Sequence, residues 1–228
     1  MKRRFVLAAP FAALALLALP SAAQIAPGRT PMPAEPVAPQ PEPEPTHETV
    51  PVAIETTMGT IVVAVETERA PITAGNFLKY ADEGRLDGTR FYRTMRLAWG
   101  DQTAGLIQGG AQNHPDRVLA PIAHEPTTVT GLSHVEGAIS AARFEPGTAT
   151  GDFSIMATDM TGLDAQPDAD DLDQQAGYAV FGIVTEGLDV VKAIHAAPTD
   201  PDKGEGFLKG QILAEPVTII SVKRLTAK

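Results

Sequence analysis

The chain has 228 residues, with 18 Lys and Arg against 28 Asp and Glu, a formal net charge of −10 at neutral pH. That balance excludes nucleic acid as a partner, because phosphate binding needs clustered Lys and Arg. No cysteine is present, which excludes disulfides and an acylated-cysteine lipid anchor.

The N-terminus predicts an address. Lys2, Arg3 and Arg4 precede the apolar run Phe5 to Leu19, and Pro20-Ser21-Ala22-Ala23 supplies small residues for cleavage after Ala23. This is the pattern of a Sec-type signal peptide over residues 1–23. The run of 15 apolar residues falls short of the ~20 needed to span a bilayer, so no stable membrane insertion is expected after cleavage. Cleavage removes three cations and no acid, which takes the net charge from −10 to −13. A bacterial periplasm is the expected compartment. Residues 24–51 carry nine prolines without apolar periodicity. They predict a disordered, polyproline-like tether, because such a stretch buries too little surface to offset its ordering entropy. Residues 52–228 remain as one domain.

In chain order, Val52–Thr57 and Thr60–Val65 read as a hairpin about Met58-Gly59. Pro71 opens a helix at its first position. Ala74, Phe77, Leu78 and Ala81 follow at helical spacing, and Gly84 ends it. Short strands are expected near 89–94, 105–109, 137–143, 152–157 and 179–185. A second helix is expected over 187–196 and a last strand over Val217–Leu225. Many short strands with turn residues between them argue for a closed antiparallel barrel or a sandwich, and periodicity alone does not choose.

Several segments lie in one collinear order over about residues 52–226: Ala70-Pro71-Ile72-Thr73-Ala74-Gly75-Asn76-Phe77, Phe91-Tyr92-Arg93, Ile107-Gln108-Gly109-Gly110, Gly137-Ala138-Ile139-Ser140-Ala141-Ala142, and Phe181-Gly182-Ile183-Val184 with Gly187-Leu188-Asp189-Val190-Val191. Together they resemble the cyclophilins, which isomerise X–Pro bonds. Tyr178 resembles the residue found there in bacterial periplasmic members. The resemblance implies a mainly β fold, a closed eight-stranded antiparallel barrel capped by two helices. It implies no metal and no cofactor. The expected partners are proline-containing unfolded or extended polypeptides, met as a monomer. It assigns catalysis to Arg93, with Gln108 holding the guanidinium and the substrate backbone. Substrate contacts fall on Phe91, Leu106, Ala142, Arg143, Phe144, Asp152, Ser154, Leu163 and Tyr178.

The residue types suit the reaction. An X–Pro amide resists rotation by roughly 18–20 kcal/mol. At the barrier top the prolyl nitrogen is pyramidal and carries a lone pair. A fixed guanidinium aimed at that nitrogen binds the twisted state more strongly than the planar one. Arginine stays charged and presents rigid donors.

The chain departs from the family around this pair. The connection Thr94–Ala104 is longer than usual and holds the sole tryptophan, Trp99. Trp99 either folds back as a pocket aromatic or serves as an ordinary rim anchor. A Phe-Met pair expected before the glutamine falls at Gly105-Leu106. Ala142-Arg143-Phe144 replaces Ala-Asn-Ala. Asp152 replaces a glutamine, Ser154 replaces the phenyl ring of the pocket floor, and Gly162 replaces a rim aromatic. Phe144 is expected to refill some lost volume. Less apolar contact for the proline ring predicts a weak isomerase with poor affinity for cyclosporin. The alternative is a cyclophilin-fold binding or chaperone-like module with little catalysis.

Other patterns carry less. The acidic run Asp159–Asp173 lacks the Gly and closing Glu of a calcium loop and reads as solvated. His47, His114, His124, His134 and His195 show no metal spacing. Ser133-His134 lacks the Gly-x-Ser-x-Gly elbow of a hydrolase.

Overall fold

A computed structural model describes residues 47–97 and 104–226. The expected signal segment, the tether up to residue 46 and Trp99 lie outside the described residues.

Eight strands form one closed barrel in the order β1-β2-β7-β5-β6-β4-β3-β8. They are β1 (Thr49–Thr56), β2 (Gly59–Glu66), β3 (Arg90–Arg96), β4 (Gly105–Gly110), β5 (Ala138–Ala141), β6 (Asp152–Met156), β7 (Ala179–Glu186) and β8 (Ile212–Arg224). Every neighbouring pair is antiparallel, and β8 closes the ring by pairing with both β1 and β3. The expected barrel is therefore present. β1 starts three residues inside the expected tether, and its Pro51 lies opposite Ala64.

Alternation fixes which face is buried. Val52, Ile54, Ile61, Val63 and Val65 are fully buried, as period-2 patterning of a half-buried strand requires. The barrel interior is centred on an aromatic cluster. Phe153 meets Phe77 edge-on at 5.4 Å and Phe91 edge-on at 5.6 Å, and Phe77 lies 5.1 Å from Phe181.

The two expected capping helices are present, α1 (Pro71–Asp82) and α4 (Leu188–Ala196), and among the described residues two further short ones accompany them, α2 (Thr127–Thr130) and α3 (Leu172–Ala176). α2 and α3 are single turns too short to show a hydrophobic period, so pattern reading missed them. α1 packs on β2, β7 and β8, and α4 packs on β2, β3 and β4. No side chain of α1's own first turn caps it. The Glu125 carboxylate does so from outside, accepting the N–H groups of Ile72 (3.0 Å) and Thr73 (2.6 Å). A carboxylate there satisfies orphan donors and meets the positive end of the helix dipole.

One strand departs clearly from the expected bounds. β8 begins at Ile212, five residues before the expected Val217. Pro216 has no N–H for the ladder, and between Phe91 and Arg93 the partner register jumps from Val217 to Ile212. β4 begins at Gly105 with φ of 148°, where a Cβ would sit 1.9 Å from the Met95 carbonyl oxygen. Only glycine fits there, which accounts for the missing aromatic at that position.

Candidate active site

The bulge in β3 creates the site. The register against β4 and β8 shifts between Phe91 and Arg93, so the alternation breaks at Tyr92. Phe91 points into the core and is fully buried. Tyr92 and Arg93 both turn to the outer face and line one groove there. Phe91 was expected to touch substrate. It packs on Phe153 inside the barrel instead.

A transverse row of directly paired residues crosses that face: Arg93 opposite Gln108, Gln108 opposite Ser154, Ser154 opposite Ser140. Direct partners share a face, and all four line a groove of about 480 Å³.

Arg93 is held by two neutral amides. Its Nη1 donates to Gln108 Oε1 at 2.7 Å. Its Nε and Nη2 both donate to Gln211 Oε1, at 2.9 and 2.7 Å. Gln211 is fixed in turn, because its Nε2 donates to the Phe207 carbonyl at 2.7 Å. Among the described residues, no carboxylate forms an ion pair with Arg93. Burial works against its charge and pulls its pKa down, while Tyr92 and Tyr178 pull the other way. An arginine remains protonated regardless. The result is a rigid cation whose charge no carboxylate among the described residues neutralises.

Apolar walls flank it. Met95, Leu106, Met156 and Leu163 line one part of the groove, and Phe207 and Leu208 line another. The Phe207 ring lies 5.7 Å from the Arg93 guanidinium carbon and is 78% exposed.

Residues 51–224 match the family model described as cyclophilin type peptidyl-prolyl cis-trans isomerase/CLD. The chain belongs to the cyclophilin family. It is 35% identical over 179 residues to peptidyl-prolyl cis-trans isomerase cyp18 of Streptomyces antibioticus, covering 76% of this chain and 98% of that relative. It is 31% identical over 175 residues to peptidyl-prolyl cis-trans isomerase B of Escherichia coli, covering 75% and 97%. A solved cyclophilin type isomerase of Cryptosporidium parvum superposes with a TM-score of 0.61 at 18% identity, over 79% of this chain and all of that one. This cyclophilin is thus an enzyme of the peptidyl-prolyl cis–trans isomerase class.

The remaining expected residues find distinct places in the cyclophilin groove. Leu106, Ala142, Arg143, Phe144, Asp152, Ser154, Leu163 and Tyr178 all line it. Arg143 presents no free head, however. Its side chain is 1% exposed. Its donors go to the carbonyls of Gly177 and Phe144 and to Asp173. Its guanidinium lies 4.6 Å from the Tyr178 ring centre. It positions Tyr178, which stacks on it. Phe144 is 75% exposed and forms rim, so it does not refill the floor. Asp152 accepts the Tyr92 hydroxyl at 2.9 Å and the Gln112 N–H at 2.7 Å. Burial raises its pKa against those two donors.

Gln211, Phe207 and Tyr92 were not legible as site residues. Gln211 has no motif. Phe207 carried one signal, a large aromatic within the polar loop Asp200–Lys209. Gln211→Ala is expected to lower kcat/KM about tenfold, because a charged hydrogen bond of about 1.5–3 kcal/mol is lost. Gln211→Glu should slow the enzyme further by neutralising Arg93. Steady-state kinetics on a prolyl peptide checks both, and an unchanged kcat/KM in either variant counts against the assignment.

One group of the acidic run is not solvated. Asp164 accepts the His134 ring N–H at Nδ1 (2.6 Å), the His134 backbone N–H (2.9 Å) and the Ser133 hydroxyl. Burial disfavours its ionised form, and these donors outweigh burial, so its pKa lies below the ordinary carboxylate range. Burial also lowers the pKa of His134 and His195. Both imidazoles are therefore neutral when folded and protonate more readily when unfolded. Their contribution to stability is complete above the unfolded value of ~6.5 and is lost as pH falls below it. Urea midpoints should hold between pH 8 and 7 and drop toward pH 5, and a flat profile over that range would contradict this burial.

Proposed function

We propose that this cyclophilin isomerises X–Pro bonds of exported polypeptides in the periplasm, with Arg93 stabilising the twisted amide. The observation that carries the reading is the Arg93 guanidinium, fixed at the groove wall by Gln108 and Gln211 and without a counter-charge among the described residues. A lone pair on the pyramidal prolyl nitrogen finds there a donor that needs no reorganisation. The planar ground-state nitrogen offers no such acceptor, so the interaction is selective for the transition state. The proline ring fits the apolar stretch formed by Leu106, Met156 and Leu163, and Gln108 retains its amide N–H₂ for the substrate backbone. No covalent step is involved. Each ~1.4 kcal/mol of selective stabilisation gives about tenfold in rate.

The pocket is divergent within the family, and catalysis is correspondingly weak. Ser154 stands where the resemblance places a phenyl ring, and the methionines and Phe207 supply part of the missing apolar surface. Cyclosporin, which needs the aromatic cup, binds poorly, and sub-micromolar inhibition would contradict this. The serine floor also favours a second reading, a peptide-holding module with little turnover. Export rests on residues 1–23, with residues 24–48 as a spacer and the mature enzyme acting as a monomer.

Refolding of a protein limited by a cis-proline, in a periplasmic extract with and without this chain, tests the role. Acceleration of the slow phase supports the isomerase. Peptide binding without acceleration supports the holding module. Retention of the chain in the cytoplasm overturns the location.

A further inference from the structure

The outer face of β6 presents Asp152, Ser154 and Met156 to the groove in succession, while Phe153 and Ile155 point into the core. Met156 pairs with Leu106 in the apolar part of the groove, and Ser154 belongs to the row of Gln108 and Arg93. Residues on one face of a strand recur about every 6.6 Å. Asp152 therefore lies ~7 Å beyond the Arg93 row and ~13 Å beyond the apolar pocket. It marks the far end of the groove.

Among the described residues, Asp152 is the carboxylate that lines this groove, and no cation forms an ion pair with it. Arg143 spends its charge on Asp173 at 2.9 Å. Arg90 shares the row of Asp152, with Gly110 between them, and makes no ion pair to it. The two bonds that Asp152 accepts come from neutral donors, the Tyr92 hydroxyl and the Gln112 N–H. A carboxylate has ~four acceptor sites, so capacity remains. An acid that only pins a turn would show the same two bonds. Two further observations separate Asp152 from that case. It is half-buried and not sealed, and the exposed Gln112 and Asn113 beside it also line the groove. Those two are also the only non-glycine residues with positive φ among the described residues, at 50° and 53°. Such strained backbone concentrates where ligands are held. Asp152 fixes Gln112 there, and the two side-chain amides add acceptor oxygens beside its charge.

We propose that Asp152 is a specificity-determining residue that selects client segments carrying a Lys or Arg two to four residues from the isomerised proline. The inference rests on the isomerase reading of the groove, with the proline ring against Leu106 and Met156. An extended chain advances about 3.3 Å per residue, so ~7–13 Å corresponds to two to four residues. A client ammonium or guanidinium at that distance meets the Asp152 carboxylate and the amide oxygens of Gln112 and Asn113. A glutamine in place of Asp152 would serve any backbone or side chain alike. A fixed carboxylate without a counter-ion favours a cation and repels a client acid at the same place, which is discrimination by charge.

The test uses short peptides with one central Ala-Pro and a single lysine moved along the chain on either side of it. Norleucine, the uncharged analogue, and glutamate serve as controls at each position. Catalysed exchange gives kcat/KM, and fluorescence anisotropy of the same peptides gives affinity. Lysine two to four residues from the proline, on one side only, should raise kcat/KM about three- to fivefold over norleucine. Glutamate there should lower it. In Asp152→Asn the ratio of lysine to norleucine should fall to about one, while the asparagine oxygen still accepts the Gln112 N–H. If circular dichroism shows that this variant does not fold, the positional pattern in the native chain decides. A gain that is equal at every position reports only the net negative charge of the chain and overturns the proposal. So does a ratio that Asp152→Asn leaves intact. Acceleration of every peptide without charge preference overturns this inference alone. If no peptide is accelerated, the isomerase reading fails, and the anisotropy ratio of lysine to norleucine decides the preference by the same criteria.

Discussion

Arg93→Lys is expected to lower catalysed X–Pro exchange about a hundredfold while leaving the fold intact. The charge is kept, so a purely electrostatic account predicts little loss. The geometry predicts otherwise. Arg93 spends three donors on two fixed oxygens, Gln108 Oε1 on one side and Gln211 Oε1 on the other. A lysine ammonium is a compact point donor on a flexible stem and cannot reproduce that fork. Loss of one aligned transition-state donor typically costs about 10²–10³ in kcat. The loss should appear in kcat more than in KM, since the apolar groove wall is untouched. Kinetics within threefold of the native enzyme would show that charge alone suffices.

Phe153→Ala is the variant expected to damage stability most. Phe153 is 2% exposed and meets two rings edge-on, Phe77 at 5.4 Å and Phe91 at 5.6 Å. Removing a buried phenyl costs about 3–5 kcal/mol through lost transfer and the cavity left behind. With a urea slope of about 2 kcal/mol/M, the unfolding midpoint should fall by about 2 M. Phe153 also lies between Asp152 and Ser154, both on the groove. Loosening β6 should therefore lower activity before global unfolding. A midpoint shift below 0.5 M, by the same slope, would mean that the cluster collapses around the vacancy.

What could be read from the chain divides along physical lines. β1, β2, α1 and α4 carry strong periodicity and clear punctuation, so they were legible. Arg93 and Gln108 were legible as a pair because they sit on sequence-adjacent strands that are direct partners. Phe91 was misplaced because a bulge at Tyr92 reverses the alternation, and bulges leave no reliable mark in sequence. Arg143 looked like a substrate contact, but it is consumed by backbone carbonyls that only tertiary structure brings near. Gln211 lies 118 residues from Arg93, and no local pattern encodes that meeting. The same holds for Asp164, which reads as one acid in a solvated run and proves to anchor His134. Long-range polar partners are the part of the site that composition and period cannot supply.

Arg93 is proposed to catalyse amide rotation without covalent chemistry. The most direct measurement is NMR exchange spectroscopy on a short Ala-Pro peptide, with the native chain and Arg93→Ala at equal concentration. The native chain should speed cis–trans exchange well above the uncatalysed rate, and Arg93→Ala should remove nearly all of that acceleration. Equal acceleration by both proteins would contradict the account.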